Sequence, residues 1–448
     1  MKEKIIKIIE EEFDKKIITD KDILEKYSKD ETPGNFIFYP DIVFIPEKEE
    51  EILRMVSLCG EFKFPITPRG GGTSRCGGPL PVKGGVVISL EKMNKIIDFD
   101  EKNHFLVVEP GMITSDINNF LKKYGYFYPP DPSSLESSTI GGNTATNAGG
   151  PKCLKYGVTR NWVYGLDVVT TDGLISLGGK NLKDATGYSL LNLMIGSEGT
   201  LGIFTKIIIR FIRKKLYETI LLLVFDELQD ATEKSIEIIK TGIIPDAIEF
   251  IDSETVKVLK EYSPEIQIPD GSVLIIIFSD DDKGKIDRFY DKISNICENA
   301  KEILVAEEEN MKEKVLDFRR NIAEKLDRFG TIIPEDVVVP VSSIPELIKF
   351  TKEIGKENGT YIFTFGHIGD GNVHIDIIQK KDVDIDKIVS QIFTGVKKLG
   401  GKISGEHGIG YTKRKYLGYS RSEIEISFMK KIKSVFDPEN ILNPEKIF

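Results

Sequence analysis

The sequence predicts an α+β protein built from more than one packed unit, on three observations. At 448 residues the chain exceeds the usual span of a single hydrophobic core. From about residue 37 to 211, short apolar runs alternate with turns rich in glycine, proline and asparagine, with helical stretches between them. From about 216 to 398, longer apolar runs alternate with amphipathic helices and glycine thins out. The composition, 40% hydrophobic and 29% charged, is that of an ordinary globular protein. A net charge of −10 without a long basic run argues against a nucleic-acid-binding surface.

The elements follow in order. Residues 1–35 read as an N-terminal helical segment, because Ile5, Ile6, Ile8, Ile9 and Phe13 recur at helical spacing among Lys and Glu. Pro33-Gly34 ends it. A first domain, 36–215, takes strands near 42–45, 66–67, 86–90, 105–108, 166–170 and 203–211, and helices near 47–59 and 115–123. A second domain, 216–404, takes strands near 219–225, 273–278, 360–365 and 373–378, and helices near 230–241, 283–300, 312–329 and 344–358. A C-terminal segment, 405–448, returns to glycine and then to a basic helix. The charged N-terminus lacks the apolar core of a secretion signal, and the longest apolar run, near Ile220–Phe225, is too short to span a bilayer. The expected location is cytoplasmic, and peripheral membrane association is compatible with it. Cys59, Cys76, Cys153 and Cys297 have neither disulfide, zinc-finger nor iron–sulfur spacing, so reduced thiols are expected.

Two regions carry chemistry. Pro68-Arg69-Gly70-Gly71-Gly72-Thr73-Ser74-Arg75-Cys76-Gly77-Gly78 follows a short strand. Its consecutive glycines offer a concave row of N–H donors, which suits a diphosphate. It lacks the Gly-Lys-Ser/Thr ending of a P-loop, and the strand at 86–90 stands where a Rossmann fingerprint needs a helix. Taken alone, the loop reads equally well as a flexible turn. The second region holds three of the four histidines, in Gly366-His367-Ile368-Gly369-Asp370-Gly371-Asn372-Val373-His374 and Gly405-Glu406-His407-Gly408. Asp370-Gly371 between apolar runs signals a two-residue hairpin. That loop pairs His367 with His374 on one sheet face, about 4.5–5.5 Å apart at Cβ, close enough to share a metal ion. Glu406 supplies the carboxylate of a two-histidine, one-carboxylate set, which suits zinc or Fe(II). His407, extended beside Glu406, points the other way and is the candidate general base.

Further motifs appear in Pro129-Pro130-Asp131-Pro132-Ser133-Ser134, in Thr139-Ile140-Gly141-Gly142-Asn143-Thr144-Ala145-Thr146-Asn147-Ala148-Gly149-Gly150, in Thr186-Gly187-Tyr188 and in Ile195-Gly196-Ser197-Glu198-Gly199-Thr200-Leu201-Gly202-Ile203. Together with the two regions above, and in this order from about residue 36 to the end, the set resembles the FAD-binding family of vanillyl-alcohol oxidase and p-cresol methylhydroxylase (PCMH). Within it, the chain resembles the glycolate oxidase, D-lactate dehydrogenase and D-2-hydroxyglutarate dehydrogenase branch. The resemblance implies a two-part PCMH-type FAD-binding domain, an α+β cap domain with an antiparallel sheet, and a C-terminal segment returning to the flavin. It implies that Pro68, Arg69, Gly70, Gly71, Gly72, Thr73, Ser74 and Gly77 cradle the FAD diphosphate together with Thr139, Gly141, Gly142, Asn143, Thr146, Asn147 and Gly149. Glu198, Gly199, Gly202 and Ile203 would flank the adenosine half. Pro110, Gly111, Pro130, Asp131, Ser134, Tyr156 and Asn443 complete the cofactor set. Some members attach FAD through a histidine in the first loop; this loop has none, so non-covalent FAD is expected.

In this branch the two histidines and the glutamate bind one divalent metal ion, which for this chain leaves zinc, iron or manganese. An arginine matching Arg319 holds the substrate carboxylate, with Arg320 as the alternative. The implied reaction is oxidation of a 2-hydroxy acid to a 2-oxo acid, with hydride passing to flavin N5 and the hydroxyl proton to His407. Asp376 stands where relatives commonly carry Asn. Ala323 and Pro334 stand where the D-2-hydroxyglutarate enzymes carry Thr and Lys. These departures favour a small monocarboxylate, D-lactate before glycolate. Asn443-Pro444-Glu445-Lys446 replaces the usual Asn-Pro-Gly-Lys. A D-2-hydroxyglutarate dehydrogenase, a non-redox FAD enzyme of the alkyl-glycerone-phosphate synthase type and an electron-relaying flavin subunit are the alternatives. Without a built-in relay, electrons pass to an external acceptor: quinone, cytochrome, electron-transfer flavoprotein and oxygen all stay open. So do a homodimer and a hetero-complex.

Overall fold

A computed structural model describes residues 2–320 and 322–448, and they divide into two compact units. The first gathers the residues up to Ala148, Val158–Arg213 and Glu406–Phe448; the second gathers Gly149–Gly157 and Lys214–Gly405. The excursion at 149–157 departs from the continuous 36–215 domain read from sequence.

The first unit is built on two larger sheets, beside a two-stranded one of Tyr126–Phe127 and Ile212–Arg213. Strands Ile42–Phe44 and Ile66–Arg69 flank Val86–Ser89 in parallel, and Ile17–Ile18 adds an antiparallel edge. Residues 42–44 and 86–89 are buried throughout, as expected of parallel strands covered on both faces. Helix Glu49–Phe62 lays Ile52, Met55, Val56 and Cys59 on this core, with three glutamates in its first turn, where the helix dipole favours them. Helix Lys2–Phe13 adds Ile5 and Ile9 to the same core. Residues 1–35 are therefore part of this unit's edge, not a separate helical piece. The other sheet is antiparallel, in the order Ile96–Asp100, Phe105–Val108, Ile203–Arg210, Val163–Thr170, Gly173–Gly178. The C-terminal segment closes the unit: Asn443 N–H donates to Ile66 O at 2.7 Å, and buried Lys433 donates to Thr200 O and Leu442 O, each at 2.7 Å.

The second unit is a seven-stranded antiparallel sheet. Its order is Glu302–Ala306, Tyr217–Phe225, Ser272–Asp280, Ala247–Ile251, Ile362–His367, Asn372–Gln379, Thr331–Val338. Three of these strands, Glu302–Ala306, Ala247–Ile251 and Thr331–Val338, are absent from the sequence reading. Thr331–Val338 carries Pro334, which argues against a strand unless it lies at an edge, and an edge is where it lies. Helix Glu309–Arg320 and the short helix Ile322–Leu326 press Val315, Phe318 and Ile322 onto the face that carries Ala247, Ile251, Phe363 and Phe365.

Candidate active site

The histidine hairpin forms, with a longer loop than expected. Residues 368–371 make a four-residue loop in which the N–H groups of Asp370 and Gly371 donate to His367 O at 3.3 and 3.1 Å. Asp370 Oδ1 accepts from Asn372 N–H at 3.1 Å. His367 therefore pairs with Asn372, and His374 with Phe365. The expected His367–His374 register is off by two residues. Because side chains alternate with a period of two, a shift of two leaves each on its expected face, and the histidines become diagonal neighbours. Their Nε2 atoms lie 3.4 Å apart, with the rings nearly perpendicular at 85°. Both are buried, at 5% and 9% exposure.

Neighbouring strands complete this face. Glu249 lies opposite His367 across the Ala247–Ile251 strand, and Asp336 lies opposite His374 on the edge strand. Glu249 Oε1 is 2.6 Å from His367 Nδ1, and Oε2 is 2.9 Å from Arg319 Nε in an ionic contact. The Arg319 guanidinium also lies over the Phe365 ring, 4.8 Å from its centroid. Burial raises the Glu249 pKa, but its contacts with His367 and Arg319 outweigh it, and the carboxyl is held below its ordinary range. Asp376, two residues after His374, is buried on the same face. Sequence reading missed Glu249. The available signal was one acid inside the apolar run Ala247-Ile248-Glu249-Phe250-Ile251, all of it buried.

Asp336 turns the chain toward Glu406. Its carboxylate accepts from Ser404 Oγ at 3.2 Å and from Gly405 N–H at 2.8 Å. Gly405 packs so closely on Asn372 that a Cβ there would lie 2.2 Å from Asn372 Nδ2. Glu406 follows by one peptide bond and opens the C-terminal segment of the first unit.

The donor chemistry of the His pair suits a divalent ion. His367 Nδ1 is engaged with Glu249, which leaves its Nε2 facing that of His374. A tetrahedral ion with bonds of about 2.1 Å needs donors roughly 3.4 Å apart, the separation found here.

In the first unit the predicted cofactor segments converge. A Cβ on Gly70 would lie 2.2 Å from Thr139 Oγ1, and one on Gly71 would lie 2.2 Å from Ser137 O. Thr139 caps helix Ile140–Thr146, which carries Gly141, Gly142, Asn143 and Thr146, and Asn147 follows it in the left-handed region. Glu198–Gly202 lead into strand Ile203–Arg210. Pro68 and Arg69 end strand Ile66–Arg69, and Pro110 and Gly111 follow Phe105–Val108. Buried Ser197 Oγ, Arg69 Nη1 and Asn443 Oδ1 make no hydrogen bond within the protein. Orphaned polar atoms of this kind, in segments read as a cofactor cradle, fit a polar ligand such as FAD.

Several predicted side chains have other work. Arg69 Nη2 donates to Lys29 O at 3.0 Å, so its guanidinium holds the N-terminal region. The Glu198 carboxylate accepts from Ile409 and Gly410 N–H at 2.9 and 2.7 Å, two and three residues beyond His407. Asn443 Nδ2 donates to Gly78 O and Glu198 O. Gly149 and Tyr156 fall in the second unit, where Tyr156 O–H donates to Asp246 at 3.2 Å.

The glycine-lined sheet unit and the antiparallel second unit together define an FAD-binding protein with the p-cresol methylhydroxylase fold. Residues 40–178 match the FAD binding domain family, and residues 215–447 match the family of the C-terminal domain of FAD linked oxidases. The chain belongs to the FAD-linked oxidases. It is 40% identical to the glycolate oxidase subunit GlcD of Bacillus subtilis, over 94% of this chain and 92% of that one. It is 34% identical to a D-lactate dehydrogenase of Anaerostipes hadrus, over 97% and 94%. A solved p-cresol methylhydroxylase superposes with a TM-score of 0.82 at 15% identity, over 99% of this chain and 96% of that one, a likeness of fold alone.

Proposed function

We propose that the protein oxidises a small D-2-hydroxy acid, D-lactate before glycolate, to the 2-oxo acid. The observation that carries this reading is the buried face of the second unit, where two imidazoles suited to one metal ion face each other and one of them, His367, shares the Glu249 carboxylate with Arg319. A 2-hydroxy acid needs that pairing: a Lewis-acid position for its hydroxyl and a guanidinium for its carboxylate. The names of the relatives, a glycolate oxidase subunit and a D-lactate dehydrogenase, support the same substrate class.

FAD bound by the glycine segments of the first unit would supply the two-electron acceptor. His367, His374 and Glu406 would hold the divalent ion that acidifies the hydroxyl. Arg319, with Nε engaged by Glu249, receives the carboxylate on the remaining guanidinium edge. His407 takes the hydroxyl proton; the carboxylate of Glu198, bonded to the N–H groups of Ile409 and Gly410, holds the loop that carries it. Asp376 adds negative charge to the face and disfavours a second substrate carboxylate, which separates this chain from a D-2-hydroxyglutarate enzyme. An external partner accepts the electrons.

The test is anaerobic bleaching of the bound flavin by a panel of D- and L-2-hydroxy acids, before and after chelation. D-Lactate should bleach rapidly and the L-enantiomer should not. Chelation should slow bleaching by at least two orders of magnitude, and added metal should restore it. Bleaching by no member of the panel refutes the reading, and a full rate in metal-free protein refutes the role given to the ion.

A further inference from the structure

We propose that Glu249 is the positioning residue of this face: one carboxylate sets the tautomer of His367 and the placement of Arg319. The inference rests on the reading of His367 and His374 as metal ligands.

Glu249 is the single charged residue in a strand whose other members, Ala247, Ile248, Phe250 and Ile251, are apolar. It is 2% exposed. Burying a carboxylate is costly unless it is hydrogen-bonded or ion-paired; Glu249 Oε1 is hydrogen-bonded, and Oε2, which makes no hydrogen bond, is ion-paired. Oε1 lies 2.6 Å from His367 Nδ1, and Oε2 lies 2.9 Å from Arg319 Nε. A neutral imidazole that donates Nδ1–H to a carboxylate carries its lone pair on Nε2. In His367 that is the nitrogen 3.4 Å from His374 Nε2. The opposite tautomer would place N–H where a lone pair is needed. Backbone register fixes the arrangement, because Glu249 and His367 are direct cross-strand partners, whose Cβ atoms lie about 4.5–5.5 Å apart.

Arg319 comes from a helix, and the sheet register does not hold it. Glu249 and the Phe365 ring are what seat it. Loss of the carboxylate should therefore loosen both the metal ligand and the guanidinium. Outer partners of metal-bound histidines are typically worth 10–100-fold in metal affinity.

The chain has only four histidines, so 15N-histidine NMR resolves each imidazole. In metal-free wild-type protein the His367 signals, assigned by loss in His367→Ala, should report a proton held on Nδ1. A ring protonated at Nε2 and not at Nδ1 overturns the proposal without any Glu249 variant. Zn2+ affinity is then measured by competition with a chelator for wild type, Glu249→Gln and His374→Ala. The expected result is a 10–100-fold loss in Glu249→Gln and a larger loss in His374→Ala, with KM for D-lactate also raised in Glu249→Gln. A Glu249→Gln protein that folds, keeps Zn2+ affinity within twofold and keeps the His367 tautomer would show that Glu249 is merely structural. Unchanged affinity in His374→Ala would instead refute the metal-site reading itself.

Discussion

Glu198 shows how one residue can carry a contact that its motif does not announce. It stands at φ +52 in Gly-Ser-Glu-Gly-Thr, a segment whose resemblance points to the adenosine half of FAD, yet its carboxylate binds backbone N–H groups of the loop that carries His407. Burial pushes its pKa up, against those two N–H bonds and the charges of Lys446 and Lys413. Lys446 is the other side of this balance. It is 2% exposed and donates to Leu80 O at 2.8 Å, and burial pulls its pKa down from 10.5 to about 8. Between those values the unfolded chain keeps the proton that the folded protein has released. Wild-type stability should therefore rise with pH relative to Lys446→Met, by about 3 kcal/mol between pH 8 and 10.5. Urea unfolding followed at Trp162, the only tryptophan and part of the same unit, measures the difference. A pH-independent gap between the two proteins would mean that Lys446 stays protonated throughout.

At the scale of elements, the hairpin divides what was legible from what was not. The apolar runs on either side of Asp370-Gly371 marked both strands, and alternation placed both histidines on one face. Loop length was not legible, because it depends on contacts remote in sequence. Gly371 sits at φ +87, its carbonyl accepts from Val339 N–H at 3.0 Å, and a Cβ there would lie 2.1 Å from Val339 O. The neighbouring edge strand, hidden from sequence by Pro334, thus helps set the register. Gly371→Ala should cost about 2–3 kcal/mol, from the left-handed backbone and the close contact together. Gly359→Ala is the internal comparison: the same backbone region at φ +69, with open space around the absent Cβ, should cost about 1 kcal/mol. Thermal midpoints rank the two, and Zn2+ affinity should fall in Gly371→Ala only. Equal losses would mean that the edge-strand contact does not fix the loop.

At the scale of the whole molecule, the chain crosses between units more often than its composition reveals. Glycine runs through 149–157 as it does just upstream, and nothing in the sequence marked this stretch as belonging with residues 214–405. Side-chain chemistry explains the membership. Lys155 forms an ion pair with Asp246, which is 2% exposed, and Leu154 packs on Gly369 in the histidine loop, where a Cβ would come within 2.7 Å of it. Removing the cation leaves a buried carboxylate supported by the Tyr156 hydroxyl and without its ion pair. Breaking such a pair costs about 3–5 kcal/mol in full burial; with the Lys155 side chain 24% exposed, a loss of roughly 2–3 kcal/mol is expected for Lys155→Met. Asp246→Asn in the same chain should recover most of it, because the penalty belongs to the stranded charge and not to the lost contact. Hydrogen exchange in strand Ser272–Asp280 reports the stability of the second unit directly. If the double variant exchanges as fast as Lys155→Met alone, the excursion is held by its packing on Gly369 and not by the ion pair.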